Sequence, residues 1–155
     1  MLLYFHDMNN TITLKKDFFF GGNATFTVDN GKGVHYTFKI RQPKHPREGF
    51  TGEAPHFVSL LTGPDNESNY SYLGMVDPST GEFRLTRASK MTYDSTPIKT
   101  FRWLMVVVFG SNQIPDGYSL MHSGHCGCCG RLLTVTESLR NGIGPECMKK
   151  HGWSY

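Results

Sequence analysis

All four cysteines of this 155-residue chain, Cys126, Cys128, Cys129 and Cys147, fall in one segment. A secreted disulfide framework would spread its half-cystines over the fold, so the clustering points to bound metal in a reducing compartment. Cys126 and Cys129 form a C-x-x-C pair, and Gly130 after them lets the backbone turn tightly enough for both thiolates to face one ion. A second half follows in Gly142-Ile143-Gly144-Pro145-Glu146-Cys147. Gly144 and Pro145 suit the cap and first position of a short helix, which puts Cys147 in its first turn, where the helix dipole favours a thiolate. His151 stands four residues on and shares that helical face. Cys126, Cys129, Cys147 and His151 therefore read as a zinc site of three cysteines and one histidine, structural in type because no position is left open for substrate. The fourth place is contested by His122, His125 and Cys128, since Cys128 beside Cys129 allows the pair to shift register by one.

Thr134 and Glu137 have capping-box spacing, which starts a short helix that Gly142 ends, and Leu132, Leu133 and Leu139 supply a small apolar cluster above the metal. So little burial makes the metal a large part of the module's stability. Arg131, Arg140, Lys149 and Lys150, with Trp153, suit a partner such as nucleic acid, because cations hold phosphates while aromatic faces stack on unpaired bases. The plainer reading is that Lys149 and Lys150 complement a helix C-terminus and Trp153 folds back on the core. A second basic set, Lys39, Arg41, Arg84, Arg87 and Lys90, lies on or beside strands carrying Tyr36, Tyr70 and Tyr72. A basic sheet face with tyrosines can hold a single strand, although strict alternation sends those tyrosines to the core and leaves the cations on a solvated face. For catalysis there is no Gly-rich phosphate loop, no serine nucleophile elbow and no H-E-x-x-H. Nothing brings His45, His56 and His122 together with Asp116 or Glu53, and Cys128 has no identifiable base. The chain reads as a binding protein rather than an enzyme.

The elements that must position these residues are legible upstream. Between residues 25 and 86 the pattern has period two, broken by turn signals. Val34, Tyr36, Phe38 and Ile40 share one strand face, and Asp29-Asn30-Gly31-Lys32-Gly33 supplies the hairpin's positive-φ positions before it. Strands at 25–28, 34–41, 56–62, 69–76 and 82–86 make a meander of about five. The connection 42–55, with Pro43, Lys44, His45, Pro46, Arg47 and Pro55, is expected to be solvated. Thr96-Pro97 reads as a cap and first helical position, and Ile98, Phe101, Leu104, Met105 and Val108 recur at helical spacing until Gly110. One helix closing a face of the sheet gives an α+β body at 1–115. A linker at 111–119 then leads to a treble-clef-like zinc-knuckle module at 116–155.

Composition sets the outer bounds. A chain of this length can bury a real core without staples. The net charge of +3, from 16 basic and 13 acidic residues, creates no large field, so any nucleic-acid contact must come from local patches. No signal peptide and no membrane span is read, since the longest apolar run, at 104–109, is far too short.

The run Cys126-x-x-Cys129-Gly130-Arg131-x-Leu133-Thr134-x-x-x-Ser138-x-x-x-Gly142-Ile143-Gly144-Pro145-x-Cys147 resembles the C-terminal signature of small bacteriophage and prophage zinc-binding proteins of unknown function. The resemblance covers about thirty residues, and Cys128 departs from it. It implies a zinc-binding phage or mobile-element protein in the cytoplasm of a bacterial host. With the basic and aromatic surface near the zinc, the first expectation is contact with nucleic acid. The second is a module that binds or inhibits a host protein through the sheet edge or the Pro-rich connection.

Overall fold

The structure, a computed structural model, describes the backbone of residues 3–4 together with residues 10–43, 54–64 and 69–153. Lys44, His45, Pro46, Arg47 and Glu53, all named above, lie outside the described residues.

Five strands form the meander in chain order: β2 (Asn23–Asp29), β3 (His35–Arg41), β4 (His56–Leu61), β5 (Tyr70–Val76) and β6 (Phe83–Arg84). The hairpin between β2 and β3 is locked by its own polar side chains. Asp29 accepts the Gly31 N–H at 2.7 Å, and Asn30 accepts those of Lys32 and Val34 at 2.7 and 3.2 Å. Two further strands extend the sheet on the β2 side. These are β7 (Ser119–His122), paired directly to β2, and β1 (Leu3–Tyr4), paired to β7. Among the described residues the sheet is antiparallel, with the order β1-β7-β2-β3-β4-β5-β6. It is α+β in class, with helices packed on it and a cysteine cluster at its C-terminal end.

One face of the sheet builds the core. Phe26 pairs with Phe38, and their rings lie 5.8 Å apart. Phe38 in turn meets Phe101 at 5.4 Å, on the helix α2 (Thr96–Val108), which buries Ile98, Phe101, Leu104, Met105, Val107 and Val108. Full burial of each such side chain is worth about 1.5–3 kcal/mol, which is what holds a helix containing three successive valines against its β-branched reluctance. Its cap is Ser95 rather than Thr96. Ser95 donates to the Thr92 carbonyl at 2.8 Å instead of capping the helix N–H groups, so Pro97 carries the start signal. The short helix α1 (Lys16–Phe19), not anticipated, adds Phe18 and Phe19 around Phe26 at 6.4 and 5.0 Å.

Two departures from the sequence pattern bear on function. The stretch 111–119, expected as a linker, is pinned by buried Ile114, whose N–H donates to the Asn10 carbonyl at 2.9 Å, and it runs straight into β7. The second is in β5, where the register against β4 shifts between Val58 and Ser59: Val58 pairs with Gly74 but Ser59 with Tyr72. Leu73 is the extra residue of this bulge and is fully buried. From there Tyr72 and Tyr70 change sides. They therefore do not face the core, as alternation predicted, but stand on the face that carries Lys39; only Tyr36 keeps to the core side, beside Phe38.

Candidate metal centre

The knuckle hangs from β7. After His122 the chain makes a narrow loop in which the Leu133 N–H donates to the Gly124 carbonyl, Cys126 to Arg131 and Gly130 to Cys126, at 2.8–2.9 Å. Gly130 has φ +79°, the left-handed conformation its place after the second cysteine requires. Gly127 is fixed by proximity, because a Cβ there would sit 2.6 Å from both the ring and the carbonyl oxygen of Phe18. The knuckle thus lies directly on α1, and the Asn23 N–H at the start of β2 donates to the Gly127 carbonyl at 2.7 Å.

Two short helices complete the unit, α3 (Thr136–Asn141) and α4 (Pro145–His151). The capping box expected from Thr134 does not form: the cap of α3 is Val135, with no side-chain bond, and the helix stops at Gly142 in the left-handed conformation, as expected. Helix α4 starts at cap Gly144 with Pro145 in its first turn and ends at Gly152, which places Cys147 near its N-terminus.

The structure brings Cys126, Cys129 and Cys147 together, their sulfur atoms all within 4.8 Å of one another. A tetrahedral zinc with bonds of about 2.3 Å needs sulfur atoms about 3.8 Å apart, so a small inward movement closes the set. All four cysteines are reduced, and the three line a cavity of about 130 Å³ with Leu133, Ser138 and Pro145. Backbone N–H groups of Gly144 and Cys128 point at the Cys126 sulfur from 3.3 and 3.4 Å. Burial pushes the Cys126 thiol up, but N–H donation from Gly144, Cys129 and Cys128 outweighs it and holds the thiol below its ordinary value. Cys147 moves the opposite way, raised by burial and by its sulfur neighbours Cys129 and Cys126. Cys128 is raised, chiefly by burial. A soft divalent cation would offset the cost of placing thiolates this close together.

His151, expected as fourth ligand, stands at the rim. Its Nε2 lies 3.3 Å from the Cys128 sulfur and its ring stacks on Trp153, centroids 4.3 Å apart. His122 is fully buried, and its ring nitrogens are already engaged: Nδ1 accepts the Gly124 N–H at 2.8 Å, and Nε2 donates to the Leu139 carbonyl at 2.5 Å. That ring is a strut between β7 and α3, with its pKa lowered mainly by burial. His125 is exposed, beside the carbonyl and hydroxyl of Ser123. Arg131, Arg140, Lys149 and Lys150 are all exposed, while Trp153 is half-buried against the core. His56 and His122 are not assembled into an acid–base site: His56 packs on Phe20 and bonds the Ala54 carbonyl, and Asp116 accepts from Asn10. The sequence reading missed the His151–Cys128 contact and the N–H donors to Cys126. The paired cysteines were the available signal for those donors, because a knuckle of this shape aims its own amides at its first sulfur.

Residues 121–152 match a family of unknown function (DUF6011), so the knuckle and α4 are similar to that family over the stretch that holds all four cysteines. No curated protein and no solved structure matches the chain. Among the described residues, no helix is long and apolar enough to cross a membrane.

Proposed function

We propose that the chain is a non-enzymatic zinc protein of phage type, working in the bacterial cytoplasm, whose knuckle presents cations and an aromatic ring to nucleic acid. The convergence of three sulfur atoms supports it most directly. Zinc fits this donor set because thiolates are soft ligands, N–H groups already solvate Cys126, and apolar side chains close the cavity. When bound, the metal would cross-link the knuckle to α4. We assign the fourth position to His151, which shares the helical face of Cys147 and touches Cys128 at the rim. Around that corner Lys149, Lys150 and Arg131 are exposed, and Trp153 is half-exposed beside His151. That is the chemistry of phosphate contact and base stacking.

Two measurements test the reading. Metal analysis should give one zinc per chain, lost in Cys147→Ser and in His151→Ala but kept in Cys128→Ser; retention in His151→Ala with loss in Cys128→Ser would move the fourth position to sulfur. Titration with labelled strands at two salt concentrations should show binding that weakens steeply with salt. Binding that ignores salt, or none at low salt, removes the nucleic-acid part.

A protein partner is the second reading, favoured by one observation. Phe83, Tyr93, Trp103 and Val106 line a groove of about 680 Å³ between α2 and edge strand β6, and Val106 is 72% exposed. Copurification of one host protein, lost in Val106→Glu, would support this surface over the knuckle.

A further inference from the structure

The bulge at Leu73 builds a surface that period-two patterning hides. In one row across the sheet Arg41 pairs with Phe57, Phe57 with Met75 and Met75 with Arg84. In the next row Lys39 pairs with Ser59 and Ser59 with Tyr72, and Tyr70 follows beside Leu61. Paired residues point the same way, so all of these share the face opposite the core. The aromatic rings are in contact: Phe57 meets Tyr72 edge to face at 6.2 Å, and the Lys39 ammonium lies 3.9 Å above the Tyr70 ring. Phe57, the second residue of β4, is 40% exposed, which is unusual for a phenylalanine. Three acids among the described residues border this face: Asp29 at its far end, where its carboxylate accepts the Gly31 N–H, and Asp77 with Glu82, which line a small pocket beside Met75 and Arg84.

This face does not stop at the sheet. Arg41 and Phe57 also line a groove of about 830 Å³ that passes Gly22 and Gln42 and ends at Cys128. There the His151–Trp153 stack begins. The groove therefore connects the cations and rings of the sheet to the knuckle surface described above, across a stretch of glycines and amide side chains.

We propose that this sheet face and its groove form a track for an unpaired nucleic-acid strand, with bases stacked on Phe57, Tyr72 and Tyr70 and phosphates held by Lys39, Arg41 and Arg84. A duplex keeps its base faces buried in its own stack and offers nothing to these rings, whereas a single strand offers both phosphate and base. The proposal deepens the nucleic-acid reading and rests on it, but it places contacts on residues far in sequence from the knuckle.

The test uses the full-length, zinc-loaded protein and fluorescence anisotropy with labelled oligothymidine of about 16 nucleotides, against a duplex of equal length. Single strand should bind at least about tenfold tighter than duplex, and Phe57→Ser and Tyr72→Ala should each weaken it about tenfold. Lys39→Gln should lower the slope of log affinity against log salt by about 0.7, the signature of one lost phosphate contact. Phe57→Ser is the safeguard should Tyr72→Ala unfold, and circular dichroism checks both. Wild-type affinity in Phe57→Ser and Lys39→Gln, with loss on changing Lys149 and Lys150 to Gln, overturns the track and leaves the knuckle contact standing. Equal affinity for duplex overturns the unpaired-strand assignment, and no binding by the wild-type protein removes both readings.

Discussion

The sheet and the knuckle are stabilised by different means within one chain. The sheet is closed by aromatic packing, in which Phe18, Phe19, Phe26, Phe38 and Phe101 are all fully buried. The knuckle has only Leu133, Ile143 and Met148 as buried aliphatic cover, beside the buried sulfurs of Cys126 and Cys147, while Leu132 is 69% exposed. A unit that buries so little relies on cross-links, and three converging sulfurs are the means of making one. The two regions nevertheless meet closely, through Gly127 on Phe18 and through the buried ring of His122.

The largest expected effect comes from removing the metal. A chelator should release the amides of 126–151 to rapid hydrogen exchange while the β2–β5 amides stay protected, since structural zinc contributes about 10–16 kcal/mol to small knuckles. Loss of protection across both regions at once would show that the sheet depends on the metal too. Next, Phe101→Ala should cost about 3–5 kcal/mol in denaturant unfolding by opening a cavity between α2 and the sheet, with zinc stoichiometry unchanged. If that variant loses zinc, the two regions are not separable in stability. Gly127→Ala probes their seam. The added methyl collides with Phe18, so a loss of about 1–3 kcal/mol is expected, read as a lower melting temperature with zinc still bound.

The smallest effect is a pH dependence. His122 is held neutral, and its folded pKa lies below the ordinary value of 6.5, mainly because it is buried. The unfolded chain therefore takes up a proton that the folded one refuses, and stability falls as the pH drops from about 6.5 toward the folded value. His122→Gln should flatten that part of the stability curve. A slope unchanged by the substitution would assign it to another group.

How much of this was readable beforehand depends on how local the cause was. The β2–β3 hairpin, α2 and the Gly144-Pro145 start of α4 each carry their signal within a few residues, and the structure has all three. The cysteine cluster was legible because ligand spacing is itself a local code. β7 was not, since a four-residue strand acquires its identity from the β2 edge it joins rather than from its own pattern. The side change of Tyr70 and Tyr72 was missed for a different reason: one extra residue at Leu73 inverts the facing of the strand positions before it relative to those after it. Gly74 inside an otherwise apolar strand was the available warning, because a glycine there marks a bulge or close approach, and a Cβ at 74 would lie 2.4 Å from the Arg84 carbonyl oxygen.

The placement of Ser119–His122 between Leu3–Tyr4 and Asn23–Asp29 sets an order of events during synthesis. Phe26 meets its neighbour on that side, His122, only after roughly a hundred further residues have been made. Until then the nascent meander offers a bare row of amide and carbonyl groups to any extended chain nearby, and a ribosome-bound fragment ending before this segment should be prone to associate.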